Sequence, residues 1–314
     1  MSDIKLGIIG AGSIAVEHLK VIRDIDGLQV VGITSRTRAK AETLAAEFNI
    51  PSICDSIEAL VERCHLDAMM ILVSAEQVFK VSQVAVLFRI PLFIEKPPGL
   101  VPEETRMLAE LAKKYSVANM VGYNRRYYSV FHKGMDVIKE HGKLLGIAVE
   151  GHERFWNIAG KVNKTLQSNW IYANSTHTID LLRLFGGDIH NISAVQNSCK
   201  EKNGDQFSAV MEFENGALGN YIAHWYSPGG WSVKLFGEGV TVEFRPLERG
   251  VWMDTSFKEN EINPDDVDLK YKPGFFRQMQ TFAHMVKTGE LSWPGMDLEA
   301  SLLTMEMAQK ISGR

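Results

Sequence analysis

The sequence predicts an α/β protein: a doubly wound parallel sheet, then an α+β domain on a large, mainly antiparallel open sheet. Three observations predict this. An apolar strand near the start runs into the glycine-rich turn Gly10-Ala11-Gly12-Ser13-Ile14-Ala15. Apolar strands and amphipathic helices then alternate as far as Val121, the order that builds a parallel sheet with helices on both faces. Beyond Gly122 the pattern changes to runs of period-two strands with few helices, which suits antiparallel pairing.

Ile4 to Ile9 is apolar apart from Lys5 and Gly7. A helix with apolar positions Ile14, Leu19 and Ile22 follows the glycine turn, and a second strand, Leu28 to Ile33, follows Asp26-Gly27. Strand, glycine turn, helix and strand in that order form a dinucleotide-binding βαβ unit, the start of a Rossmann domain. Gly10 allows the tight turn. Gly12 lets backbone N–H groups approach a pyrophosphate at the helix N-terminus, where Ser13 and Ile14 open the helix. Ala15 stands where the fingerprint has its third glycine, a position that needs only a small residue. A tight βα turn without a ligand is the alternative.

The end of the second strand bears on cofactor choice. NAD sites place an acidic residue there to hold the ribose hydroxyls; this chain has Thr34-Ser35-Arg36-Thr37-Arg38. Ser35 does not repel a 2′-phosphate, and Arg36 or Arg38 can pair with one bidentately. NADP(H) is therefore expected over NAD(H); an Arg36 that only stacks on adenine would suit both.

A helix Ala39 to Phe48, a short strand near Ile53 and a helix Ile57 to Glu62 continue the alternation. Asp67 to Val73 is a strand of the kind buried on both faces, and Ser74 at its end is a candidate cofactor contact. After a helix Val78 to Phe88, an apolar run ends in Phe93-Ile94-Glu95-Lys96-Pro97-Pro98. Open α/β sheets bind ligands at the carboxyl ends of their strands, and the prolines stiffen the turn that holds Lys96. Lys96 is the candidate catalytic residue, against the alternative of a surface lysine on a proline-rich turn. A helix from Pro102 to Tyr115 and a strand Val117 to Val121 complete the first domain, 1–121. The second, 122–314, has a helix Ser129 to Glu140 and strands Leu144 to Glu150, Ile189 to Gln196, Phe207 to Phe213, Leu218 to Tyr226, Val233 to Phe236 and Thr241 to Phe244. One helix, Ile171 to Phe185, interrupts them, and helices Phe275 to Lys287 and Leu298 to Ile311 close the chain.

Composition narrows the function classes. The 314 residues are 45% hydrophobic and 23% charged, with net charge −4 and pI 6.2, which gives no electrostatic reason for nucleic acid or an anionic membrane surface as partner. From Met1 the chain runs polar and then into a strand, without a basic n-region and long apolar h-region. Cys54, Cys64 and Cys199 share no metal-ligand spacing, and the nine histidines form no HxH or HxxxH pair, so no protein-bound metal is expected. These features suggest a soluble, cytoplasmic protein with reduced thiols.

Four features in this order resemble the Gfo/Idh/MocA sugar and inositol oxidoreductases: the Gly10–Ala15 turn, Glu95-Lys96-Pro97, Gly122-Tyr123-Asn124-Arg125-Arg126, and His177-Thr178-Ile179-Asp180-Leu181-Leu182. The resemblance extends to the closing helices. It implies an NAD(P)-dependent enzyme that moves a hydride between nicotinamide and a sugar, sugar-derivative or polyol carbon, and a homodimer or homotetramer joined through the open sheet. It makes Lys96 and His177 catalytic, and lets Glu95 and Pro97 frame the cofactor. Asn124 and Arg126 fall in a substrate-contacting segment; Trp170 and Asn174 join His177 as candidate substrate contacts. Chemically, a base must take the hydroxyl proton as hydride leaves the carbinol carbon. The chain departs from the family four residues before His177, where Ala173 replaces a common aspartate. Asn174 and Asp180 are the candidates to orient the imidazole instead, with helix packing the alternative for Asp180. A non-catalytic, nicotinamide-binding regulator of the same family is the competing function.

Overall fold

The computed structural model describes residues 3–314; Met1 and Ser2, where the reading of the chain start began, lie outside the described residues. The described residues pack into two compact units, residues 3–124 with 270–302, and residues 125–269 with 303–314.

In the first unit, β1 (Ile4–Ile9), α1 (Ser13–Ile22), β2 (Leu28–Thr34), α2 (Arg38–Phe48), β3 (Ser52–Cys54), α3 (Ile57–Cys64), β4 (Ala68–Ile71), α4 (Ala75–Val86), β5 (Leu92–Ile94), α5 (Pro102–Lys114) and β6 (Asn119–Val121) alternate along the chain. All six strands are parallel, in the order β3-β2-β1-β4-β5-β6. Strand order reverses between β1 and β4, which creates the crevice where such sheets bind ligands. The central strands are apolar because helices cover both faces: every residue of β4 and β5 is buried. Glu103 and Glu104 in the first turn of α5, and Lys113 and Lys114 in its last, complement its macrodipole.

The second unit comprises α6 (Ser129–His141), β7 (Leu144–Gly151), α7 (Lys164–Ser168), a π-helical turn (Ile171–Ser175), α8 (Thr176–Gly186), β8 (Ile189–Asn197), β9 (Gln206–Phe213), β10 (Leu218–His224), β11 (Trp231–Gly237), β12 (Val240–Phe244), β13 (Gly250–Asp254) and β14 (Glu259–Ile262). Its eight-stranded sheet has the order β14-β13-β12-β11-β7-β10-β9-β8, antiparallel except where β7 meets β10. Residues alternate cleanly on β9, where Phe207, Ala209, Met211 and Phe213 are buried and Ser208, Val210 and Glu212 exposed. On the covered side Phe131, Phe185 and Phe244 form an aromatic cluster with ring centroids 4.8 to 6.1 Å apart.

Three features differ from the pattern read in the sequence. The strands β13 and β14 were not legible: β14 is the four-residue edge strand Glu-Asn-Glu-Ile, defined by its pairing with β13 rather than by apolar alternation. The helix expected over Ile171 to Phe185 is a π turn followed by α8. Finally, residues 270–302, which the change of pattern assigned to the second domain, pack with the first unit. After α9 (Asp266–Lys270), α10 (Phe275–Thr288) lays Phe275 on His18 and Phe282 on Phe93, at 4.7 and 5.5 Å between ring centroids. The loop before α11 (Leu298–Ser312) then pairs with edge strand β6: Val121 N–H donates to the Met296 carbonyl at 2.6 Å, and the Leu298 N–H to Asn119 Oδ1 at 2.9 Å. Apolar burial and an otherwise unpaired strand edge together draw this segment back.

Candidate active site

In the first unit a cavity of about 500 Å³ opens at the carboxyl ends of β1, β2 and β4. The glycine turn forms one wall. Gly10 has φ +115°, and a Cβ there would lie 2.3 Å from the Leu72 carbonyl oxygen, so both conformation and space demand glycine. A Cβ on Gly12 would meet nothing within 4 Å; the fold leaves that side of the turn open to an approaching group. Gly12 also caps α1, whose first turn carries neither a capping side chain nor an acidic residue. The first N–H groups of the helix and the positive end of its dipole are therefore available to an anion. This cradle fits a dinucleotide pyrophosphate.

Gly10, Gly12, Ser13, Ile14, Ser35, Arg36 and Ser74 all line this cavity. Arg38 does not: its guanidinium pairs with Glu42, 3.0 Å away, and with Asp55. The i,i+4 spacing on α2 and the nearby end of β3 hold it there. Lys40, on the first turn of α2, lines the cavity instead, as does Gln77 on α4. Sequence reading missed both; Lys40 was discoverable as a cation four residues beyond Arg36.

Glu95 and Lys96 leave the end of β5 by a different route. Glu95 is 6% exposed; its Oε1 pairs with His18 Nε2 at 2.9 Å, and its Oε2 accepts from the Lys96 backbone N–H at 3.1 Å. A Cβ on Gly122 would lie 3.1 Å from the Glu95 carboxyl, so the glycine leaves room for that carboxylate. His18, fully buried between Phe93 and Phe275, was not singled out in the sequence. The Glu95 carboxylate thus braces the turn bearing Lys96 and Pro97, whose shared peptide bond is cis. Asn124 donates through Nδ2 to the Pro273 carbonyl at 3.0 Å.

In the second unit Arg126 and Asp180 form a buried bidentate pair, Nε to Oδ2 at 2.7 Å and Nη2 to Oδ1 at 2.9 Å. Asp180 also accepts from Thr304 Oγ1 at 3.1 Å. Arg126 and Thr304 thus both bind the Asp180 carboxylate. His177 opens α8 at 5% exposure, with its ring 6.1 Å from that of Trp231, over which the Arg125 guanidinium lies at 4.6 Å. Trp231 lines a cavity of about 300 Å³ together with His152, Glu153, Arg154 and Glu248. Burial lowers the proton affinity of His152, against the nearby Glu150 carboxylate, which raises it. Trp170 packs edge-on against Phe155 at 5.8 Å. Asn174 does not stand alone: its Nδ2 donates to Glu153 at 2.9 Å. Among the described residues no group of three or more His, Cys, Asp or Glu is arranged to hold a metal, and no helix is long and apolar enough to cross a membrane.

Residues 4–123 match the model of the oxidoreductase family with an NAD-binding Rossmann fold, Gfo/Idh/MocA, and residues 140–243 match a C-terminal domain of the same family. A scyllo-inositol 2-dehydrogenase (NAD(+)) of Bacillus subtilis strain 168 is 24% identical over 92% of this chain and 87% of its own length. A D-xylose 1-dehydrogenase (NADP(+)) of Haloferax volcanii is 21% identical over 97% and 95%. The fold superposes with TM-score 0.84 on an oxidoreductase from Agrobacterium radiobacter, crystallised with NAD+, L-tartaric acid and magnesium, at 16% identity over 100% of this chain and 98% of that one.

Proposed function

This chain belongs to the Gfo/Idh/MocA family of NAD(P)-binding oxidoreductases, and we propose that it interconverts a hydroxyl and a ketone on a sugar, sugar derivative or polyol, with NADP(H) as the preferred cofactor. The observation that carries this reading is the cradle at Gly10, Gly12 and the uncapped start of α1, in a sheet whose β5 is followed two residues on by Lys96. Relatives named as dehydrogenases of an inositol and a pentose support the substrate class. Arg36 and Lys40, both lining the cavity, support the phosphorylated cofactor, because they offer two cations where NAD sites carry a carboxylate.

The nicotinamide, when bound, supplies the hydride chemistry. Lys96 takes the hydroxyl proton in oxidation and returns it in reduction. A free lysine, with pKa about 10.4, is too fully protonated at neutrality to be an efficient base, and the positive charge of an oxidised nicotinamide nearby would lower it. His177 is the second acid–base residue, and Asn124, Arg126, Trp170 and Asn174 are substrate contacts. A homodimer or homotetramer formed through the outer face of the second sheet completes the proposal. The competing reading, a regulator that binds nicotinamide without turnover, is favoured only by Ala173.

The test is to incubate the protein with NADP+ and scyllo-inositol, D-xylose, glucose 6-phosphate and UDP-N-acetylglucosamine in turn, following reduced nicotinamide by absorbance. Turnover of at least one is expected. Cofactor binding with no turnover on a panel widened to further sugars and polyols would support the regulator instead.

A further inference from the structure

Helix α8 presents His177 one residue into its first turn, and the π turn Ile171–Ser175 leads into it. A π turn departs from the regular i→i−4 ladder, is rare, and is frequent at functional sites. A buried carboxylate contacts this one. Glu153, two residues past the end of β7, is 4% exposed. Its Oε2 accepts from Asn174 Nδ2 at 2.9 Å and its Oε1 from Ser175 Oγ at 2.8 Å. Both oxygens are thus bound to the two residues that close the π turn, immediately ahead of Thr176 and His177.

The surroundings keep this contact in place. Thr178 Oγ1 donates to the Ser175 carbonyl at 2.9 Å and lies 3.4 Å from the Tyr221 hydroxyl. That phenol is fully buried and resists ionisation, chiefly through burial and further through the nearby Glu153 charge. The end of β7 packs so closely on this cluster that a Cβ at Gly151 would fall 2.3 Å from the Tyr221 hydroxyl and 2.9 Å from Thr178 Oγ1. Glu153 also lines the cavity shared with Trp231, the ring beside His177. Hydrogen bonds to a carboxylate are stronger than those between neutral groups, so the two to Asn174 and Ser175 tie the start of α8 to the sheet. Alanine at 173, within the π turn, has only a methyl group and cannot make such a bond.

We propose that Glu153 is the positioning residue for His177, a carboxylate delivered from strand β7 that orders the turn bearing the imidazole. The role of His177 rests on the function proposed above; the placement of its ring by Glu153 does not.

Three full-length variants test it: Glu153→Gln, Glu153→Gln with Ala173→Asp, and Ser175→Ala, which removes one hydrogen bond and keeps the charge. Crystal structures and thermal melting are the first readouts. Glu153→Gln is expected to melt near the wild-type temperature while its His177 ring moves by about 1 Å relative to Trp231, the scale at which misplacement costs roughly 100-fold in rate. Adding Ala173→Asp is expected to return the ring, and Ser175→Ala to move it less. With NADP+ and whichever panel compound turns over, Glu153→Gln is expected to lower kcat by roughly 100-fold with KM for NADP+ unchanged, and Ala173→Asp to recover at least about tenfold of it. An unmoved His177 ring in Glu153→Gln overturns the proposal, as does a melting temperature that falls together with activity and is not recovered by Ala173→Asp. If no compound turns over, the proposed function fails, while the crystal structures still decide whether Glu153 places His177.

Discussion

Arg36 and Arg38 are two residues apart, yet only Arg36 lines the cavity beside the glycine turn. Arg38 is held by Glu42 and Asp55, and both carboxylates raise its affinity for its proton; Arg36 lines the cavity with Lys40. Cofactor discrimination should follow that division. Arg36→Ala is expected to weaken NADPH binding by about 1.5–3 kcal/mol, roughly 10- to 100-fold in Kd, the usual worth of a hydrogen bond to a charged group. Lys40→Ala should act in the same direction, and neither should alter NADH binding much. Titration calorimetry with both nucleotides checks this; tighter NADH binding by the unmodified protein, or a larger loss from Arg38→Ala than from Arg36→Ala, would refute it. At this scale the sequence showed residue types better than partners. Glycine 10 and glycine 12 announced themselves because a tight turn and an open helix start both need glycine. Nothing in the linear order tells that Glu95 takes His18, 77 positions away, or that Arg126 takes Asp180, 54 positions away, because those pairings exist only once the helices are packed.

Elements were legible where a local period decides them. The strands β1, β2 and β4 follow apolar runs, and α5 begins at a proline followed by two glutamates. They were hidden where tertiary contacts decide: β14 is a polar edge strand, and the π turn ahead of α8 looks like an ordinary helical stretch in sequence. The second sheet raises the question of what covers its outer face. Val195, Val210 and Leu218, which project from that face on neighbouring strands, are 71%, 56% and 60% exposed, and Ile222 lies on the same face of β10. Apolar side chains grouped on one face favour association. Sedimentation velocity at micromolar concentration is expected to show a dimer or tetramer, and Val210→Lys with Leu218→Lys to shift it toward monomer. A wild-type monomer would contradict the proposed assembly.

Over the whole molecule, the sequence placed the change from parallel to antiparallel architecture near Gly122; the first run of the first unit ends at residue 124. It could not show that the chain returns. The signal for that return is distributed: Phe275 and Phe282 look like any apolar helix positions until His18 and Phe93 are there to receive them. The return matters for function because Phe275 walls in the same His18 that braces Glu95, the neighbour of Lys96. The family of the chain settles the cofactor class and leaves the proton-transfer residue to experiment. The most direct measurement is therefore a single-turnover stopped-flow record of nicotinamide reduction with a competent sugar or polyol, comparing the unmodified protein with Lys96→Ala. Loss of a general base predicts a fall of roughly 10²–10⁴-fold in the reduction rate while NADP+ still binds; a Lys96→Ala protein that reduces NADP+ at the full rate would contradict the assignment.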